Sequence, residues 1–127
     1  MQTNQIDAYR TAQKSREMSG REIEAAALTR CAQLLSDCRN NWDAPDRDTA
    51  LAEALRHNQM VWSILQSELA RDDNPLPIEI RQDILTLSLF IDKRIIEVMA
   101  KPEPEKLKII IDISLNLAAG LLGNGTE

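Results

Sequence analysis

Residues 108–123 read KIIIDISLNLAAGLLG, and whether they form a strand or a helix decides the fold. Ile109, Ile111, Ile113, Leu115 and Leu117 alternate with Asp112, Ser114 and Asn116, the period of two of a half-buried strand. At about 100° per residue, however, Lys108, Asp112 and Asn116 stand one above another as a narrow polar ridge. Every Ile and Leu from 107 to 122 lies outside that ridge. A strand would also need a partner strand, which no other segment supplies, and the run from Pro104 to Gly123 has a helical length. The stretch is therefore a helix, apolar over most of its circumference. Ser114 falls in the apolar arc, where its hydroxyl is expected to bond back to the carbonyl of Ile110.

Working back from this helix, Lys101-Pro102-Glu103-Pro104 separates it from another, with Pro104 suited to a first helical position. The preceding helix starts at Pro77, with Glu79 adding negative charge to its first turn. Ile80, Ile84, Leu87, Ile91, Ile95 and Val98 form one stripe. Ile78, Leu85, Leu89 and Ile96 widen it beyond half the circumference, so this helix is expected to sit centrally and Leu87→Glu to unfold the protein. DDNPLP closes a third helix, which begins after Asp46 or Asp48, runs to about Arg71 and carries Leu51, Leu55, Asn58, Trp62, Leu65 and Leu69 on one stripe.

Before it, RNNWDAPD is a loop holding Trp42. A further helix is expected to begin at Gly20, where Ser19 and Glu22 make a capping box and Met18 and Ile23 a hydrophobic staple. Its apolar positions are Ile23, Ala27, Cys31, Leu34, Leu35 and Cys38. Residues 5 to 16, with Ile6, Tyr9 and Ala12, form a weaker first helix, a packing arm.

These segments describe an all-α fold: a compact bundle of about five helices, four long and one short at the N-terminus, in one domain over residues 1–127. Such a length buries roughly two-thirds of the surface of the unfolded chain. With 43% hydrophobic but only 3% aromatic residues, Leu, Ile and Ala must fill the core, which favours helix packed on helix.

The net charge of -5 and the scattered basic residues argue against direct nucleic-acid binding, which needs clustered Lys and Arg. The N-terminal MQTNQIDAYR lacks the apolar core of a signal peptide, so a cytoplasmic location without membrane attachment is expected. Cys31 and Cys38 would lie on one helix face but about 10 Å apart along the axis, beyond disulfide reach, and read as buried thiols. Their spacing and the single, distant His57 do not suit a metal. His57 has no neighbouring Ser, Cys or paired acid at a catalytic spacing, and no Gly-rich phosphate loop exists. The expectation is a non-enzyme without cofactor or metal.

The candidate functional residues are therefore contact residues. Asn58 interrupts an apolar stripe; its amide either serves backbone groups inside the core, the favoured reading because buried amides are nearly always paired, or recognises a partner's backbone. Trp62 reads as a core anchor. Trp42 either covers the end of the bundle or is presented to a partner. Met60 and Ile64 project opposite the Leu55–Trp62 stripe, beside His57 and Glu53. Either that helix is sandwiched, the favoured reading, or this face is exposed and shaped to take a partner helix, with Met60→Glu then weakening partner binding while sparing the fold.

Ala8-Tyr9, ALRHNQMVWSILQSEL (54–69), DDNPLP with IRQDILTLS after it, and IDISLNLAAGL occur in this order over nearly the whole chain. In these features it resembles the flagellar biosynthesis regulator FlaF family of alphaproteobacteria. Ala54, Leu55, Asn58 and Trp62 meet the family pattern A-L-x-x-N-x-x-x-W. The tail pattern I-N-x-x-x-A-x-G-L is met except that Ser114 stands in place of Asn, so a role for that amide does not carry over.

The resemblance implies a cytoplasmic factor that promotes flagellin production with the partner regulator FlbT. It would act on flagellin as a secretion chaperone or on translation of its mRNA. A chaperone would hold an amphipathic flagellin helix in an apolar groove bordered by the last three helices. Self-association as a structural adaptor, or pairing with FlbT, would use the same surface. The residues assigned to partner contact are Trp42, His57, Asn58, Met60, Ile64 and Asn116.

Overall fold

Helix α1 runs unbroken from Gln2 to Asn40 in the computed structural model, which describes residues 2–123, with side chains from Gly20 onward. The expected start at Gly20 is thus corrected: the segment 5–16 and the helix after it are one. A capping box starts a helix only where the capping residue leaves helical geometry. Nothing between 16 and 20 forces that departure, since there is no proline and a single interior glycine costs only about 1 kcal/mol. The side chains of Ile6, Tyr9, Ala12, Met18 and Ser19 lie outside the described residues.

Three more α-helices follow: α2 (Arg47–Leu69), α3 (Ile78–Ala100) and, after a 3-10 turn at Pro104–Lys106, α4 (Leu107–Leu121). The described elements are all helical, four α-helices where about five were expected. The turn between α2 and α3 is held by Asn74. Its amide Nδ2 donates to the Glu68 carbonyl at 3.0 Å, and its Oδ1 accepts from the Leu76 N–H at 3.0 Å. Pro77 is the N-cap of α3, with ψ of 145°, one position outside the expected first helical residue. Pro104 does begin the 3-10 turn that leads into α4.

Short connections lay the helices antiparallel in succession, and α4 returns to pack on α1. The α1–α4 pairing is the closest, then α1–α2; α3 meets α2 and, least of all, α4. The expectation of a central α3 is therefore overturned. Interaxial distance follows side-chain size, and the buried faces of α1 and α4 include Ala25, Cys31, Ala32, Ser114 and Ala118. The inward stripe of α3 is Ile84, Ile91, Ile95 and Val98, bulky groups around one small Ser88. The small residues let α1 and α4 approach, and α3 is left at the margin.

The α2 stripe from Leu51 to Leu69 is buried as read, with Trp62 fully enclosed as a core anchor. Two other stripes shift. In α1 the inward positions are Ala25, Leu28, Cys31, Ala32, Leu35 and Cys38, whereas Ile23 is exposed. In α3, Ile80 and Leu87 are exposed, so Leu87 is not the core residue its spacing suggested. The ridge on α4 is real: Lys108 Nζ lies 2.7 Å from Asp112 Oδ2, and Asn116 is exposed one turn on. Ser114 is fully buried, but its Oγ has no hydrogen-bond partner, contrary to the expected bond to Ile110.

Candidate functional site

Among the described residues, the most extended exposed apolar surfaces lie on α3 and between α1 and α2. The first is a ridge on α3: Ile78, Leu89 and Ile96 are exposed, and Leu85 half-buried, on one helical face. Leu89 and Ile96 are 66% and 62% exposed. Lys93 lies between them and makes no ion pair or hydrogen bond with the described residues. On the opposite margin of α3, Leu87 and Phe90 are exposed, and the Arg94 guanidinium lies 5.4 Å from the Phe90 ring centroid.

The second surface is a cleft of about 200 Å³ between α1 and α2, lined by Ile23, Ala27, Val61 and Ile64 over Leu28 and Leu65. Ile64 is 54% and Met60 53% exposed, so the outer face of α2 is open and the sandwiched reading is overturned. The physical reason is the bundle's ring order, in which α2 has α1 on one flank and α3 on the other and no helix beyond it.

Glu24 and Glu68 stand at one end of this cleft. Burial pushes the Glu24 carboxyl up to about 7, the hydrogen bond and negative charge of Glu68 push the same way, and Arg21 opposes them weakly. Arg71 relieves the pair only slightly, through the Glu68 charge, because its Nε and Nη2 are bound to Asp73 at 3.0 and 2.9 Å. That bidentate contact raises the Arg71 guanidinium and holds the Asp73 carboxyl below its ordinary range.

The sequence-assigned residues do not converge on one site. Trp42 is half-buried and packs on the core, with the Arg47 guanidinium 4.3 Å from its ring centroid, so it covers the end of the bundle. Asn58 is fully enclosed: its Nδ2 donates to the Ala54 carbonyl at 2.9 Å and to the Cys31 carbonyl of α1 at 3.4 Å. In this fold it ties α2 to α1 and offers a partner no surface. His57 is half-buried, with Nε2 enclosed and unpartnered. Met60 and Ile64 are accessible on the outer face of α2, and Asn116 on the outer ridge of α4.

The residues that complete the α1–α2 cleft, Ile23, Glu24 and Glu68, are not legible as a site in the sequence: spacing places Ile23 in the core, and acid pairs across two helices leave no local pattern. The exposure of Leu89 and Ile96 was likewise hidden, because an apolar stripe reads the same whether or not a neighbour covers it.

Cys31 and Cys38 are free and buried, as read from their spacing. Burial pushes the Cys31 thiol up to about 12; it also raises Cys38, aided by Asp37 and Asp46. Among the described residues no group of three His, Cys, Asp or Glu could hold a metal ion, and no helix is long and apolar enough to cross a membrane.

The fold and its surfaces define an all-helical bundle with unpartnered apolar helix faces. The chain belongs to the family described as flagellar protein FlaF, whose model matches residues 5–121, and it is thus a flagellum-related protein. Comparison with curated proteins and with solved structures gave no match.

Proposed function

We propose that this protein promotes flagellin production without catalysis, by holding an amphipathic helix of flagellin on the exposed α3 face as a cytoplasmic secretion chaperone. The observation that carries the reading is the α3 ridge of Ile78, Leu89 and Ile96, exposed among the described residues. Contiguous apolar surface on a soluble protein marks interaction sites, and helix-in-groove recognition uses apolar anchors one or two turns apart. With 23 residues, α3 offers about 35 Å of rod, room for several turns of a client helix. Family membership supplies the flagellar context. The acidic charge of -5 favours a polypeptide client over flagellin mRNA.

Purified protein mixed with flagellin at micromolar concentration should co-elute as a soluble complex on size exclusion. Leu89→Glu with Ile96→Glu should abolish the complex while leaving the helical circular dichroism unchanged. A complex that survives both substitutions would remove α3 as the client face, and the absence of any complex with the unaltered protein would remove the chaperone reading.

A further inference from the structure

These two uncovered surfaces among the described residues are complementary in chemistry. The α1–α2 cleft is apolar along Ile23, Ala27, Val61 and Ile64 and ends in two carboxyl groups, Glu24 and Glu68. The α3 ridge is apolar at Leu89 and Ile96 with one uncommitted ammonium, Lys93, between them. The cleft's 200 Å³ accommodates one or two aliphatic side chains.

We infer that the α1–α2 cleft of one copy takes the α3 ridge of a second copy, Leu89 and Ile96 entering the apolar cleft and Lys93 pairing with Glu24 and Glu68. Charge complementarity selects this occupant. Around the acid pair, α1 supplies Arg21, and the α2–α3 turn supplies Arg71, which feels the Glu68 charge only weakly because it is engaged by Asp73 of the same turn. The two carboxyls therefore share a place with cations that oppose them only weakly, and an added ammonium favours their ionised forms. Leu89 and Ile96 bury apolar area on both partners in the same step.

The contact is heterologous, since each copy uses its cleft on one neighbour and its ridge on another, so copies add head to tail. It also uses the face assigned to the client, yet it requires no client and is tested without one. Flagellin bound on α3 would displace the second copy.

Sedimentation velocity on the full chain, from micromolar to submillimolar concentration, tests the inference. The average mass of the unaltered protein should rise with concentration. Ile64→Glu and Leu89→Glu change exposed residues and should each remain at the mass of one chain with unchanged helicity. An equimolar mixture of the two should reach twice that mass and stop there, because one variant keeps an intact ridge and the other an intact cleft. Lys93→Glu should also abolish association, and Lys93→Glu combined with Glu68→Lys should restore it. An unaltered protein that stays at one-chain mass overturns the inference. So does a single variant that still associates, a mixture that stays at one-chain mass, or a charge swap that fails to restore association.

Discussion

Helices α3 and α4 are both rich in Ile and Leu, yet the bundle treats them differently. In α4 the polar residues Lys108, Asp112 and Asn116 gather on one ridge, and that ridge faces solvent while Leu107, Ile110, Ile111, Ser114 and Ala118 face inward. In α3 the polar residues are scattered, and bulky apolar side chains point both into the core and away from it. The comparison teaches that an ordered polar ridge specifies orientation. A wide apolar arc without one leaves the choice to packing, and packing put the helix with small inward residues beside α1. The arc left over on α3 is then surface that another polypeptide can use.

The largest expected effect probes the buried sides of the pair. Ile110→Glu in α4 and Ile91→Glu in α3 each place a charge where the native side chain is fully enclosed, and both should abolish the folded state in far-ultraviolet circular dichroism and thermal melts. If Ile91→Glu melted like the unaltered protein, the inward stripe of α3 would be misassigned. Next in size is Asn58→Ala. It removes the bond from α2 to the Cys31 carbonyl and should lower stability by roughly 1–3 kcal/mol in urea titration, as expected when a buried hydrogen-bond group is orphaned. Leu87→Glu, which spacing alone marks as unfolding, should cost less than Ile91→Glu by several kcal/mol because Leu87 already reaches solvent.

A pH scan separates the α1–α2 seam from the rest. Glu24 titrates near 7 in the folded chain and near its ordinary value of 4.5 when unfolded. Its folded form thus holds a proton that the unfolded form has released, so stability falls as pH rises through that window. Glu24→Gln should flatten the fall, and an unchanged pH profile would show that burial and Glu68 do not raise this carboxyl. The smallest effect belongs to the α4 ridge. Lys108→Ala breaks an exposed i,i+4 pair and should cost about 0.3–0.5 kcal/mol, lost in high salt.

Much of this was legible in the chain. The alternation in KIIIDISLNLAAGLLG resolves into a helix because Lys108, Asp112 and Asn116 share a face, and the stripe from Leu51 to Leu69 identified the buried side of α2. The stop at DDNPLP begins three positions past Leu69, the end of α2. The join within α1 was misread because Ser19 and Glu22 satisfy a local pattern that a continuous helix equally permits. Of the candidate surface, spacing favours a covered Met60 and Ile64, which are exposed; the pairing of the Asn58 amide with backbone inside the core agrees with the favoured reading, though local spacing does not reveal Cys31 as its cross-helix partner.

What the sequence alone determined are properties of single helices: their number to within one, their polar and apolar faces, the prolines and asparagine that end them, and the family pattern they carry. Only the tertiary structure decided which apolar faces found a neighbour. Periodicity states that a face avoids water, whereas the partner that shields it depends on how closely helix axes approach. That distance is set jointly by small residues such as Ala32 in α1 and Ala118 in α4, far apart along the chain.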